Sequence, residues 1–305
     1  EKEISIPLDS LNSVFNYAFT ETRLSASYAY DGGRFAFNVG AHVIPTLIDG
    51  ASQTLGSKIN RSNLNLAPVL RFTYRGSKQM QIALNYNAQS IEPTFEQLQP
   101  IRDISNLQNI IVGNPDLKTA FRHAIGINVN KYFTASGISF NMSTSAATIK
   151  NRVVRNMLII PDTLNSFKRE TRFLNINGDK AFNGFYNISK NFVGGIFGFE
   201  YSGSVNFNYI PMLNNNERTS FQTWFINQRL SGQLNLLSWL EVNPSISYSS
   251  NKTDFSLPQA NDFYNKKISL GLNANFYFSP TAIFTFDGAK NRVTGISANE
   301  TQNPF

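Results

Sequence analysis

The sequence predicts an all-β fold, an antiparallel meander of about twelve strands wrapped into a transmembrane β-barrel over residues 1–305. Three observations lead there. Apolar and polar residues alternate strictly over long runs, charges are few while aromatics are many, and tight turns alternate with long connections.

The clearest run is Phe197–Tyr209. Its odd positions are apolar or small (Phe197, Phe199, Tyr201, Gly203, Val205, Phe207, Tyr209), and its even positions from Gly198 to Asn208 are polar or glycine. A strand turns successive side chains to opposite faces, so one face is apolar and the other wet. These 13 residues outrun the usual soluble strand of about 5–6 residues and match what a tilted strand needs to cross a bilayer.

Charged residues make up 15% and aromatics 13% of the chain, against roughly 25% charged in soluble domains. Mean hydropathy is still −0.23, because Asn and Ser fill the polar positions. This balance suits a sheet with lipid on one side and water on the other. No apolar stretch is long enough for a transmembrane helix. The absence of cysteine excludes a disulfide framework and thiolate metal ligation. The basic residues behind the net charge of +7 are scattered singly or in pairs, as at Arg71 and Arg75 or Lys266 and Lys267. That scatter argues against nucleic acid as a partner. The opening EKEISIPLDS has no signal-peptide pattern, which suggests a removed leader or a portion of a longer chain.

Taken in order, the strands pair across short turns. Arg23–Tyr30 turns at Asp31-Gly32-Gly33 into Arg34–Val43, and a loop of about twenty residues follows, near 44–62. Leu64–Tyr74 turns at Gly76-Ser77-Lys78 into Met80–Tyr86, and the longest connection then runs from about Ala88 to Ala120. Phe121–Val129 turns at Thr134–Gly137 into Ile138–Met142, followed by a loop near 150–168. Thr171–Lys190 reads as one long strand with a bulge at Asn177-Gly178-Asp179, turned at Val193-Gly194-Gly195 into Phe197–Tyr209. A loop holding Asn214-Asn215-Asn216 precedes Trp224–Leu236, which turns at Leu237–Trp239 into Leu240–Tyr248. The last pair is Ile268–Phe278 and Thr281–Phe286, turned at Ser279-Pro280. Six hairpins result, with tight turns on one side and long loops on the other, an asymmetry of outer-membrane barrels. Aromatics gather beside the tight turns (Tyr28, Tyr30, Phe72, Tyr74, Tyr132, Phe133, Trp239, Phe276, Phe278), as in an interfacial girdle.

The longest connection contains Glu92-Pro93-Thr94-Phe95-Glu96-Gln97-Leu98-Gln99-Pro100 and then Gly113-Asn114-Pro115-Asp116-Leu117-Lys118. Gly-Asn-Pro-Asp alone is a generic turn. Between two alternating strands, with Pro93, Phe95, Leu98 and Pro100 upstream, it resembles TonB-dependent receptors and their outer-membrane β-barrel relatives. Thr119-Ala120 stands where that family usually has Pro-Glu, so no contact of the acidic residue carries over. The resemblance implies a 22-stranded barrel with an N-terminal plug domain, coupling to TonB, and in some members a surface lipoprotein. Neither plug nor TonB box is visible, so this chain corresponds to the barrel portion only. Phe305 matches just the last position of the usual terminal strand, and Pro304 would interrupt pairing; the closing strands are expected to be missing.

No catalytic constellation emerges. His42 falls on the wet parity and His123 on the apolar parity, too isolated for a metal site. A Ser–His pair such as Ser25 with His42 is better read as a hydrogen bond than as a nucleophile and base. No P-loop, dinucleotide fingerprint or nucleophile elbow occurs, so no cofactor is expected. Arg71, Arg122, Glu200, Arg229 and Glu241 lie on the wet parity, and Lys131 on the lipid parity beside a turn. The expected function is uptake of a scarce solute, such as an iron chelate, a cofactor or an oligosaccharide, with recognition in the long loops. Two readings stay open beside it: a plug-free channel or membrane enzyme of about twelve strands, and a soluble β-sandwich that binds a partner.

Overall fold

The computed structural model describes residues 15–52, 58–100, 102–103, 106, 108–161, 167–192, 194–256, 262–279 and 281–295. Seventeen strands and a one-turn helix follow one another: β1 (Phe15–Glu21), β2 (Leu24–Asp31), β3 (Phe35–Ser52), β4 (Lys58–Ser77), β5 (Met80–Ile91), α1 (Phe95–Leu98), β6 (Arg102–Asp103), β7 (Asn109–Val112), β8 (Ala120–Phe133), β9 (Ile138–Lys150), β10 (Arg152–Pro161), β11 (Phe167–Ile176), β12 (Asp179–Asn191), β13 (Phe197–Asn214), β14 (Glu217–Leu237), β15 (Leu240–Phe255), β16 (Phe263–Ser279) and β17 (Ala282–Thr294).

An antiparallel wall runs β3–β4–β5–β8–β9–β12–β13–β14–β15–β16–β17. Its first edge is shared by β1 and β2, which lie end to end along β3: Glu21 faces Thr46 and Leu24 faces Val43. Among the described residues, no ladder joins β17 to β1 or β2, so the sheet is open there. Tight turns occupy one end of the wall. Gly33 (φ 78°) turns β2 into β3, with its amide donating to Asp31 Oδ1 at 3.0 Å, and Gly137 (φ 68°) turns β8 into β9. The positive φ at these two turns is the region glycine enters without a Cβ clash.

The apolar parity is the exposed one, as the face of a wall that meets lipid must be. Leu24, Tyr28, Leu64, Leu66, Leu230, Ile246, Leu270, Leu272 and Phe284 are all exposed. Among the described residues no second sheet covers them, which sets the fold apart from a β-sandwich. Rings pair beside the tight turns: Tyr30 with Phe37 at 5.4 Å, Phe35 with Tyr74 at 5.1 Å, and Phe276 with Phe284 at 5.9 Å. Lys131 lies over the Phe133 ring at 5.4 Å, an ammonium brought to the rim while its stem stays on the apolar face. Gln228 stands mid-strand on this face, and its amide oxygen accepts from the Tyr186 and Tyr201 hydroxyls. An acceptor in hydrocarbon needs such partners.

The expectations on loops are corrected at the other end. Residues near 44–62 form no long loop: β3 and β4 extend to Ser52 and Lys58, paired through Ala51 and Lys58. Asn214–Asn216 is a two-residue hairpin turn, because Asn215 (φ 48°) and Asn216 (φ 66°) tolerate the left-handed region. Residues near 150–168 contain β10 and the start of β11. Thr171–Lys190 is two strands, since β11 pairs with β10 and β7 while β12 pairs with β9 and β13. The count of seventeen exceeds about twelve because β6, β7, β10 and β11 form outside the wall and β1 is separate from β2. Val193, Pro280, the first residues and Phe305 lie outside the described residues.

The β10–β11 hairpin crosses itself. It grows from the paired ends of β9 and β12, yet β10, which follows β9, pairs in parallel with β13 at Asn156–Leu213. β11, which precedes β12, pairs in parallel with β7 at Arg169–Asn109. The two strands have exchanged sides, and the exchange occurs at Asn151 (φ 53°) and Gly178 (φ 112°). The Asn151 amide donates to Asn177 Oδ1 at 2.7 Å, and Asn175 Nδ2 donates to the Asn151 carbonyl at 2.7 Å. The outcome is a small inner sheet, β6–β7–β11–β10, at the long-loop end.

Candidate functional site

The segment between β5 and β8 packs against the inner face of the wall and carries the inner sheet. Phe95 and Leu98 stand on α1, which a capping box closes: the Thr94 hydroxyl accepts from the Gln97 amide and the Gln97 side chain accepts from the Thr94 amide. Leu98 and Leu117 are fully buried with Ile48 and Phe173, and Ile59, Ile111 and Val153 pack around them. Ile48 and Ile59 belong to the wall, while Ile111, Val153 and Phe173 share one face of the inner sheet. This core therefore binds motif, wall and inner sheet together.

Phe95 lies against backbone: a Cβ on Gly50 would fall 2.1 Å from its ring, and the Tyr17 ring centroid is 5.0 Å away. At Gly113 a Cβ would fall 2.1 Å from the Gln99 carbonyl oxygen, so only glycine permits the approach. Asn114 holds the turn. Its Oδ1 accepts from the Asp116 amide at 2.9 Å, and its Nδ2 donates to the Phe173 carbonyl at 3.0 Å. Pro93 is buried, whereas Pro100, Pro115 and Asp116 are exposed. The motif residues thus divide into anchors and a turn. Their contacts with the wall and with Phe173 place the inner sheet.

A carboxylate closes the base of the segment. The β4–β5 ladder ends at Val69–Asn87, and beyond it Glu92 links the strands through side chains. Its carboxylate accepts from Asn65 Nδ2 at 2.7 Å, from Asn63 Nδ2 at 2.9 Å, and from the Thr119 hydroxyl at 2.9 Å to each oxygen. Thr119, the departure from the family pattern, is therefore a partner of this acid. The Arg61 guanidinium donates to the Leu117 carbonyl.

At its other edge the inner sheet is tied to the β13–β14 turn. Asn156 Nδ2 donates to Asn216 Oδ1 at 2.7 Å, the Asn216 amide to Asn156 Oδ1 at 3.1 Å, and the Asn215 amide to the Met157 carbonyl at 2.9 Å. On the sheet face opposite the Phe173 core, buried Glu170 accepts from Arg102 Nη2 at 2.7 Å and from Arg172 Nε at 2.6 Å. The sequence reading places recognition in the long connections, those from Ala88 to Ala120 and near 150–168 among them, without singling out Arg102, Glu170 or Arg172; the density of bases in Lys168-Arg169-Glu170-Thr171-Arg172 was the available signal.

The wet-parity charges spread along the wall. Arg71 Nε donates to Asn85 at 3.1 Å. Glu241 accepts from Asn243 and the Tyr277 hydroxyl, each at 2.9 Å. Glu200 and Arg229 line a groove with Glu241, Ser231 and Asn243. Ser25 and His42 meet across β2 and β3 at 2.7 Å. His123 bonds the Tyr86 hydroxyl at 2.9 Å on the opposite face of the wall, so the two histidines share no site.

The model of the Outer membrane protein beta-barrel family matches residues 2–231, about three quarters of the chain. The chain belongs to this family. Its place is therefore the bacterial outer membrane. No curated protein matches the sequence. Among solved structures, the chain is similar to the closed form of the ferric-catecholate import receptor Fiu from Escherichia coli K12, at 10% identity and TM-score 0.44, covering 92% of this chain and 49% of that one. The open form gives 11%, 0.44, 96% and 54% in the same order. OmpT of Vibrio cholerae, an outer membrane protein, gives 8%, 0.30, 96% and 90%. The chain spans about half the length of the Fiu receptor chains.

Proposed function

We propose that this outer-membrane barrel is the wall and mouth of an importer of the TonB-dependent type, taking up a scarce solute such as an iron chelate, a cofactor or an oligosaccharide. The observation that carries the reading is the inner sheet. A hairpin anchored at both edges inside the mouth narrows the path for free diffusion, and it is a rigid platform on which a selective receptor presents side chains to its solute. In this reading the chain forms part of a 22-stranded barrel, the inner sheet lies on the extracellular side, and a plug domain, TonB and a surface lipoprotein are its partners. The protein transports and does no covalent chemistry; the Ser25–His42 contact serves the wall.

The test is energy dependence. Cells carrying the full reading frame are supplied with a labelled ferric chelate, cobalamin or maltooligosaccharide at submicromolar concentration. Saturable uptake abolished by a protonophore or by loss of TonB supports the proposal. Uptake that rises linearly with concentration and ignores the protonophore identifies a passive channel instead.

A further inference from the structure

The four strands of the inner sheet hold six bases (Arg102, Arg152, Arg155, Lys168, Arg169, Arg172) and two acids (Asp103, Glu170). Register places three of these groups together. Arg102 on β6 and Arg172 on β11 both pair with Val112 on β7, so they flank it on one face. Glu170 lies one step along that face, beside Ile110. Its side chain is only 4% exposed, whereas the two arginines remain 56% exposed.

A buried carboxylate needs a counter-charge, and one arginine would meet that need. Two are present, so the cluster keeps a net positive charge. Each guanidinium carries five N–H donors in a planar fork. Arg172 gives its Nε to Glu170 at 2.6 Å and Arg102 one Nη2 at 2.7 Å. The remaining donors, including both terminal nitrogens of Arg172, are held in place without being used on Glu170. Glu170 thus acts as a pedestal that orders two long side chains in advance of binding, which reduces the entropy a ligand would otherwise have to overcome. Arg155 and Arg169 stand on the opposite face of the sheet, the one that carries Phe173, and take no part in this cluster.

We propose that Arg102 and Arg172 form a binding site for a small oxyanion-bearing solute, a polycarboxylate or a phosphate compound. This names the substrate class of the importer and rests on that reading. A lipid headgroup is the wrong source. The opposite face of the same sheet packs through Phe173, Ile111 and Val153 onto the inner wall residues Ile48 and Ile59, which turns the arginine row away from the bilayer.

The experiment is calorimetric titration of citrate, and separately of inorganic phosphate, into the folded full-length protein in detergent at low ionic strength. At least one anion is expected to bind, while glucose does not. Arg102→Gln and Arg172→Gln should each weaken binding by about tenfold or more, the scale of one charge-assisted hydrogen bond. Arg172→Lys, which keeps the charge and loses the fork, should fall between. Lys252→Gln, on β15 outside the inner sheet, should bind as the parent does. Heat-modifiable gel mobility reports folding, and if the Gln variants fail to fold, Arg172→Lys decides. Absence of binding by both anions overturns the proposal. So do unchanged affinity in the arginine variants and equal weakening by Lys252→Gln. Binding needs no energy source, so its failure is separate from a failure of the uptake experiment.

Discussion

The Thr119 hydroxyl lies 2.9 Å from each carboxylate oxygen of Glu92, joining the two ends of the segment that separates β5 from β8. Asn63 and Asn65 extend the same contact to β4, where the backbone ladder has already ended. This carboxylate therefore replaces a stretch of ladder and sets where the inner layer leaves the wall.

Removing the hydroxyl leaves the acid short of a donor. Thr119→Val should lower stability by about 1.5–3 kcal/mol, the range for hydrogen bonds to charged groups. Urea unfolding in lipid vesicles, followed by tryptophan fluorescence, measures it. An unchanged midpoint would mean that Asn63, Asn65 and the Thr46 hydroxyl satisfy Glu92 without it.

Leu98 is fully buried among Ile48, Leu117 and Phe173. Leu98→Ala should cost about 2–5 kcal/mol, lost burial plus the cavity left behind. Because this core fastens the inner sheet to the wall, the visible effect should be local: trypsin should cut at Arg155, Arg169 or Arg172 before the wall unfolds. Unaltered cleavage kinetics would show that the contacts with β13 hold the sheet by themselves.

At Gly113 the obstacle is backbone, the Gln99 carbonyl 2.1 Å from an added Cβ. Gly113→Ala should therefore displace the motif turn and loosen the inner sheet, whereas Asp116→Ala, at an exposed position, should be nearly silent. Hydrogen exchange over residues 109–112 and 167–176 distinguishes the two, and equal protection in both variants would contradict the packing argument.

Leu272 and Ser269 sit on opposite faces of β16. Leu272→Arg places a charge in hydrocarbon and should cost about 2–4 kcal/mol, while the same change on the inner face is tolerated far better. Ser269→Arg is the matched control. Folding yield into vesicles and unfolding midpoints give the comparison, and similar losses for both would refute the assigned parity.

Much of this was legible along the chain. Alternation at Phe197–Tyr209, Leu64–Tyr74 and Ile268–Phe278 depends on neighbouring positions alone, so it already separates the lipid face from the wet one. The tight turns were readable too, since Gly33 and Gly137 mark positions where positive φ is needed. Asn214-Asn215-Asn216 was misjudged because asparagine suits a loose loop as well as a two-residue turn.

By itself, then, the sequence determined the class of fold, the faces of most wall strands and the family segment from Pro93 to Leu117. Only the tertiary structure decided that residues 152–176 become a crossed hairpin, that Arg102 and Arg172 meet over Glu170, and that Thr119 serves Glu92. The reason is physical: a transmembrane strand is specified by contact with its solvent, one residue at a time. The inner sheet exists through partners 50 to 70 positions away in the chain, and no local pattern encodes such partners.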